Sequence, residues 1–474
     1  MTGLADMQRR RFIQLSAAAS LAGLMPRTGA AAASTARIAL SPGPARVNIV
    51  GPPHPDTGVW CYNGTVPGPV LRGRQGGRLA VTVTNGLAEP TTVHWHGMRV
   101  PNAMDGVPYV TQSPIAPGAA FTYDIPLLDA GTYWYHPHFN SSAQVGRGLA
   151  GALIVEEPEP PRVDRELVWV LDDWRLDRKA AIAANFAHPH DLTHAGRIGN
   201  TATLNGKVRE TVAVRSGERL RLRLVNVANA RTFGLRFEGL KPRIVALDGH
   251  PVTPHAPPDG PGGDMVVLGS AQRADVILDM TGDPGSRARV VDGYYRRAAY
   301  RLVDLAYTDE PALRADPPDW PVAHKPNPLA EPRLDGAAYH KVMLEGGAMS
   351  AMLARRFRED RNTRAFWFMN GAAMTEMKTK VPPLLTFKRG TDHVIDMVND
   401  TRFEHPMHLH GHAFRVLAVN GKAHPHRPWR DTVLVPAQGR TRVALRADNP
   451  GDWMFHCHVL EHQAAGMMGI VRVA

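Results

Sequence analysis

Toward the C-terminal side of the 474-residue chain stands Phe455-His456-Cys457-His458, followed by His462 and Met467. Read as the end of a strand, it puts His456 and His458 on one face and Cys457 on the other, because strand side chains alternate with period two. One short segment can therefore address two metal sites about 10 Å apart, joined by the cysteine's own backbone. A thiolate, an imidazole and a thioether, completed by one further histidine, form the trigonal site with a weak axial methionine that holds blue copper.

The rest of the chain supplies histidines in matching places. Thr92-Val93-His94-Trp95-His96-Gly97 and Gly131-Thr132-Tyr133-Trp134-Tyr135-His136-Pro137-His138 form two arms. His405-Pro406-Met407-His408-Leu409-His410-Gly411 and Gly451-Asp452-Trp453-Met454-Phe455-His456-Cys457-His458 form two more. Seven His-X-His pairs occur among 22 histidines, far more than chance placement supplies. On a strand each pair presents both imidazoles on one face, so it can clamp a metal cluster.

An internal repeat accounts for the placement. Asn63-Gly64, Asn205-Gly206 and Asn370-Gly371 each precede an Arg and Gly, an alternating strand, and then Asn85, Asn226 or Asn399. Three copies of one pattern predict three related β-sandwiches. Forty prolines, 44 glycines and alternating stretches such as Leu79 to Thr84 fit an all-β chain, with helix expected only at Met349 to Arg358 and around His462. The expected domains cover residues 37–158, 159–312 and 338–474, with a Pro-rich linker over 313–337. The outer two carry the arms, and the middle one, lacking His-X-His on its strands, reads as a spacer.

Residues 1–36 read as an address. Arg9-Arg10-Arg11 precedes an apolar run and an Ala-rich end, the pattern of a secretory signal of the twin-arginine (Tat) type, which implies a periplasmic protein. No other stretch is long and apolar enough to predict a membrane span. The net charge of +11 is scattered, without a basic block interleaved with aromatics, so no nucleic-acid partner is expected. With only two cysteines and Cys457 assigned to a metal, Cys61 has no disulfide partner.

The four arms resemble the multicopper oxidase family across essentially the whole mature chain, most closely its three-domain bacterial laccase-like members. The resemblance implies three cupredoxin-like Greek-key domains and four copper ions. It implies a type 1 copper on His405, Cys457, His462 and Met467, and a type 2 copper on His94 and His408. It also implies a type 3 pair on His96, His136, His138, His410, His456 and His458, so that His456, Cys457 and His458 link the two sites. The implied activity is one-electron oxidation of a phenol or aromatic amine coupled to reduction of O2 to water. Cu(I) is the alternative donor, and a non-catalytic copper-binding relative is the alternative from another class.

Asp105 matches a family carboxylate that feeds protons to the cluster. Gln463 stands where relatives often have Glu, so proton delivery from that side is in question. A laccase-like rim requires a solvent-exposed edge on His462. Glu404 precedes His405 without the accompanying Met of cuprous oxidases, which favours organic donors. His188, His190, His194, His412, His424 and His426 read as solvated surface histidines. Met343, Met349, Met352, Met369, Met374 and Met377 read mainly as core, with a Met-bearing lid over the type 1 site as the other reading.

Overall fold

The three Asn-Gly pairs set the frame. Asn63, Asn205 and Asn370 have φ of 52°, 49° and 50°, and the glycines that follow have 76°, 77° and 75°. Positive φ at both central residues makes a tight hairpin turn, which Asn and Gly tolerate best. In each copy an alternating strand follows and pairs in parallel with the strand that opens its sandwich. The pairs are Thr35–Leu40 with Arg78–Thr84, Arg165–Trp174 with Arg219–Asn226, and Ala338–Gly346 with Asp392–Asn399.

These observations come from a computed structural model that describes residues 35–258, 264–360, 363–377 and 381–474. The expected leader lies outside them except for Thr35 and Ala36, which already belong to the first strand. Residues 35–474 form one compact unit made of three sandwiches in chain order, each of two main sheets, the first with a further strand pair, Pro42–Val47 and Thr57–Tyr62. No helix among the described residues is long and apolar enough to cross a membrane. Both helical expectations are met, by Ala351–Glu359 and Leu460–Ala464.

Both outer sandwiches pair their arms in the same register. His94–His96 runs antiparallel to Gly131–His136 with His94 opposite His136. His405–Leu409 runs antiparallel to Gly451–Cys457 with His408 opposite His456. Each arm's leading glycine is required by close approach. Gly131 has φ +149° and a side chain there would strike the Gly249 carbonyl of the middle sandwich; Gly451 has φ +135° and faces Asn102. One apolar cluster runs through both outer sandwiches, from Leu40 and Trp95 to Trp453 and Val473, so they share a core that brings the arms together.

The repeated asparagines fasten the loops that lead into the histidine strands. Asn85, Asn226 and Asn399 are all buried. Each accepts from the amide two residues on and donates to at least two carbonyls across its loop. Such a side chain satisfies backbone groups that the loop would otherwise leave unpaired.

The middle sandwich is more than a spacer. Its strand Leu220 to Leu224 alternates as if arginines faced water, yet Arg221 and Arg223 are each 1% exposed. They converge on Asp275 at 2.6 and 3.1 Å, with Thr132 of the first sandwich bonded to the same carboxylate at 2.6 Å. The polar face of that strand is an internal interface.

Candidate metal centre

The C-terminal arm divides its side chains as period two requires. Cys457 Sγ lies 3.5 Å from His405 Nδ1 and 3.6 Å from His462 Nδ1, and the two imidazole nitrogens are 3.2 Å apart. His405 comes from the neighbouring strand and His462 from the Leu460–Ala464 helix. The chain then returns so that the Cys457 amide donates to the Met467 carbonyl at 3.0 Å, and Met467 is fully buried beside the set. Burial pushes the Cys457 thiol up and the His462 imidazole down to about 3. A thiolate in this place needs a cation to balance it, which is what metal ligation supplies.

On the other face, His456 and His458 join the three remaining pairs. His456 Nε2 is 3.1 Å from His410 Nε2, and His458 Nε2 is 3.4 Å from His136 Nε2. The first and third sandwiches interlock ring on ring, with His94 stacked on His410 at 3.8 Å and His96 on His408 at 3.7 Å. Three-ligand groupings form at His94/His408/His410, His94/His96/His136 and His138/His410/His456. Burial drives His96, His136, His138, His410, His456 and His458 well below the usual imidazole range, so they are neutral donors at physiological pH.

Partners outside the cluster decide which nitrogen faces in. His94 Nδ1 bonds the Asp105 carbonyl at 2.8 Å, His410 Nδ1 the Asp105 carboxylate at 2.9 Å, and His408 Nδ1 the Asp431 carbonyl at 2.9 Å. His96 is the other way round: its Nε2 bonds Asp431 and Thr432 at 3.1 and 2.9 Å. The opposite atoms, His94 Nε2, His408 Nε2 and His96 Nδ1, are buried without a hydrogen-bond partner. Orphaned imidazole nitrogens that converge in this way fit copper ions.

Asp105 thus orients a histidine from each outer sandwich, His94 through its main-chain carbonyl and His410 through its buried carboxylate. An amide keeps the first contact but replaces the carboxylate that faces both rings with a neutral group. Asp105→Asn is expected to lower the cluster's metal affinity about 10–100-fold while the Cys457 set keeps its ion. Metal content after dialysis against a chelator checks this, and wild-type retention would remove Asp105 from the site.

Sequence reasoning missed Asp431 and Arg273. Asp431 holds His96 and His408, and is itself gripped by Arg273 of the middle sandwich at 2.5 and 2.8 Å. Ser270, also of the middle sandwich, donates to the His458 carbonyl at 3.0 Å. The stretch Gly269 to Arg273 carries no histidine or other ligand type, and its position alone shows that it braces the cluster.

Other expectations change with the geometry. His462 is fully buried, with no solvent-exposed edge. Its Nε2 donates to the His194 carbonyl at 2.5 Å and Trp367 packs 4.0 Å away. The short helix Pro189–Thr193, anchored by Arg175–Asp191 at 2.6 Å, therefore brings His194, with His190 stacked on it at 4.1 Å, to a cover over the Cys457 set, while His188 is exposed. His424 and His426 lie elsewhere, His426 being stacked on His255 at 3.8 Å, and His412 is not solvated but buried, its Nδ1 bonded to the His410 carbonyl at 3.2 Å. Glu404 accepts from Tyr294, and Glu461 accepts from the Arg197 amide and Asn229, so neither faces the cluster. The methionines do not gather into one lid: Met369 is core, Met349 is 77% exposed, and Met374 and Met377 pack beside Met454 and Met468.

Comparison with known proteins agrees over nearly the whole chain. Multicopper oxidase domain profiles match residues 46–160, 165–303 and 350–474. The chain is 30% identical to the multicopper oxidase MmcO of Mycobacterium tuberculosis, over 91% of this chain and 86% of that protein. It is also 30% identical to Laccase-1 of Fomitopsis schrenkii, over 89% of this chain and 84% of that protein. The crystal structure of a multi-copper oxidase from Pseudomonas thermotolerans superposes with a TM-score of 0.82 at 35% identity, covering 93% of this chain and all (100%) of that one.

Proposed function

Because the chain belongs to the multicopper oxidase family, whose members are oxidoreductases that use oxygen, we propose that it oxidises phenols or aromatic amines one electron at a time and reduces O2 to water. In this reading four coppers are held. His405, Cys457, His462 and Met467 take the type 1 ion, and His94 and His408 the type 2 ion. His96, His136, His138, His410, His456 and His458 take the type 3 pair. Bound there, copper supplies one-electron uptake at the thiolate site and oxygen reduction at the imidazole cluster.

The observation that carries the reading is the period-two split of His456, Cys457 and His458 between two buried ligand sets. The Cys457 main chain is a covalent path from one set to the other, and His408 lies opposite His456 across the sheet. Asp105 and Asp431 keep the rings in the orientation that leaves ligand nitrogens inward. Burial of the cluster excludes bulk water, and so limits loss of partly reduced oxygen.

Organic donors are favoured by the surroundings of His405. No methionine immediately precedes it, and the one acidic neighbour, Glu404, is engaged by Tyr294. The buried His462 is reached through its cover, which suits a donor that needs contact only with the half-buried His194 and exposed His190. The leader's twin arginines support export to the periplasm.

The test is O2 uptake by the copper-loaded protein with a methoxyphenol and with Cu(I). Efficient phenol oxidation with complete reduction of O2 to water is expected. Release of peroxide, or a specificity constant far higher for Cu(I), would overturn the reaction or the donor respectively.

A further inference from the structure

Ten histidines make up the two ligand sets, and nine of them have one ring nitrogen tied to an oxygen outside their own set. The ties run from His94, His96, His136, His405, His408, His410, His456, His458 and His462 to Asp105, Asp431, Pro137, Thr401, Cys457, Ser270 and His194. His138 is different. It is 4% exposed, and neither Nδ1 nor Nε2 has a hydrogen-bond partner. No hydrogen bond fixes its ring, which is held only by packing against His94, His136, His410 and His456, where the others are also tethered.

His138 also forms the inner wall of a cavity of about 420 Å³. Tyr109, Asn140, Thr375 and Glu376 form its exposed rim, while Ser141 and Gln463 are buried with His138 at its floor. Met377 and Met468 line it, and Met374 and Met454 pack behind them in the same apolar cluster. A solvent-facing funnel thus leads past thioethers to the one untethered histidine.

From this juxtaposition we infer that the cavity is the port through which Cu(I) is loaded into the histidine cluster, handed from Met377 and Met468 to His138. The inference rests on the copper-binding reading above. Thioethers prefer Cu(I) to Cu(II) or Zn(II). Two or three such ligands, without thiolate or a tethered imidazole, bind weakly enough to pass the ion on. His138 then accepts it, and the Nε2 atoms of His410 and His456, 3.1 Å apart and held in place by their tethered Nδ1 atoms, complete the coordination. No bond changes order and the copper stays Cu(I) throughout.

Leucine fills a methionine's space without its sulfur, so a triple Met374→Leu, Met377→Leu, Met468→Leu variant separates transfer from packing. Full-length apo-protein is given Cu(I) anaerobically as its acetonitrile complex, and bound copper is counted over time by native mass spectrometry. Blue absorbance after reoxidation follows the Cys457 site separately. The cluster of the variant is expected to fill at least about ten-fold more slowly, while its Cys457 site fills at the wild-type rate and the final copper count is unchanged. When copper is supplied as Cu(II), variant and wild type are expected to load alike. Equal Cu(I) loading rates would overturn the port, as would slowing that is the same for both sites or for both oxidation states. Failure of the oxidase reading would appear instead as absent turnover in a fully loaded protein, which copper counting distinguishes.

Discussion

Replacing Cys457 by serine is expected to abolish the blue colour and all donor-dependent O2 uptake. The hydroxyl is a hard, neutral donor at physiological pH and cannot give the thiolate–copper bond that makes the site intensely coloured and fast in electron transfer. The cut is also topological. Cys457 joins its Sγ, in the His405/His462 set, to the His456/His458 flank through its own main chain. Serine is close in size, so the fold and the imidazole cluster persist. Three of four coppers are therefore expected by elemental analysis, with the type 1 spectroscopic signature missing. Blue absorbance in a Cys457→Ser protein would sink the type 1 assignment, and residual turnover would sink the electron path.

Arg273→Met is expected to be the most damaging change outside the ligands. Arg273 is 0% exposed and is held between Asp431 at 2.5 Å and Asp248 at 3.6 Å, with its Nε donating to the Thr132 carbonyl at 3.1 Å. Taking away the cation leaves the buried Asp431 without its counter-ion, while Asp248 keeps Arg430 at 3.3 Å, and breaking a buried pair from one side costs about 3–5 kcal/mol. Asp431 then no longer stays fixed against His96 and His408, so copper retention falls along with stability. Denaturant unfolding and copper content measured together check this. A loss below about 1 kcal/mol, the range of an exposed pair, would mean that Arg273 does not brace the cluster.

What could be read ahead of the structure follows from what is local. His-X-His on a strand declares its shared face through a period of two, and the same spacing in both outer repeats shows which arms correspond. The Asn-Gly turns announce the repeat because few other residues accept positive φ at both positions. Long-range covers and braces are not local. His194 reaches His462 across 268 residues, and nothing in His188-Pro189-His190 marks a short helix destined to lie over another sandwich. Arg221 and Arg223 alternate with leucines like a solvated edge, and only a second sandwich laid on that face makes them internal. Arg273 and Asp431 were illegible for the same reason, each being one charged residue in a strand-rich stretch until 158 residues of separation close. The methionines follow the core reading at Met369, Met374 and Met377 and depart from it at the exposed Met349, and nearness in sequence did not become a single lid.

The stacked pairs His94–His410 and His96–His408 carry one more consequence. Neither outer sandwich owns the cluster, so copper affinity there is also adhesion between the two ends of the chain. Each ion works as a rivet: stripping copper loosens a joint as well as a catalyst, and strain on that joint loosens copper. Resistance to unfolding by pulling or by protease should therefore rise stepwise as copper is added, without any change in the amino-acid contacts.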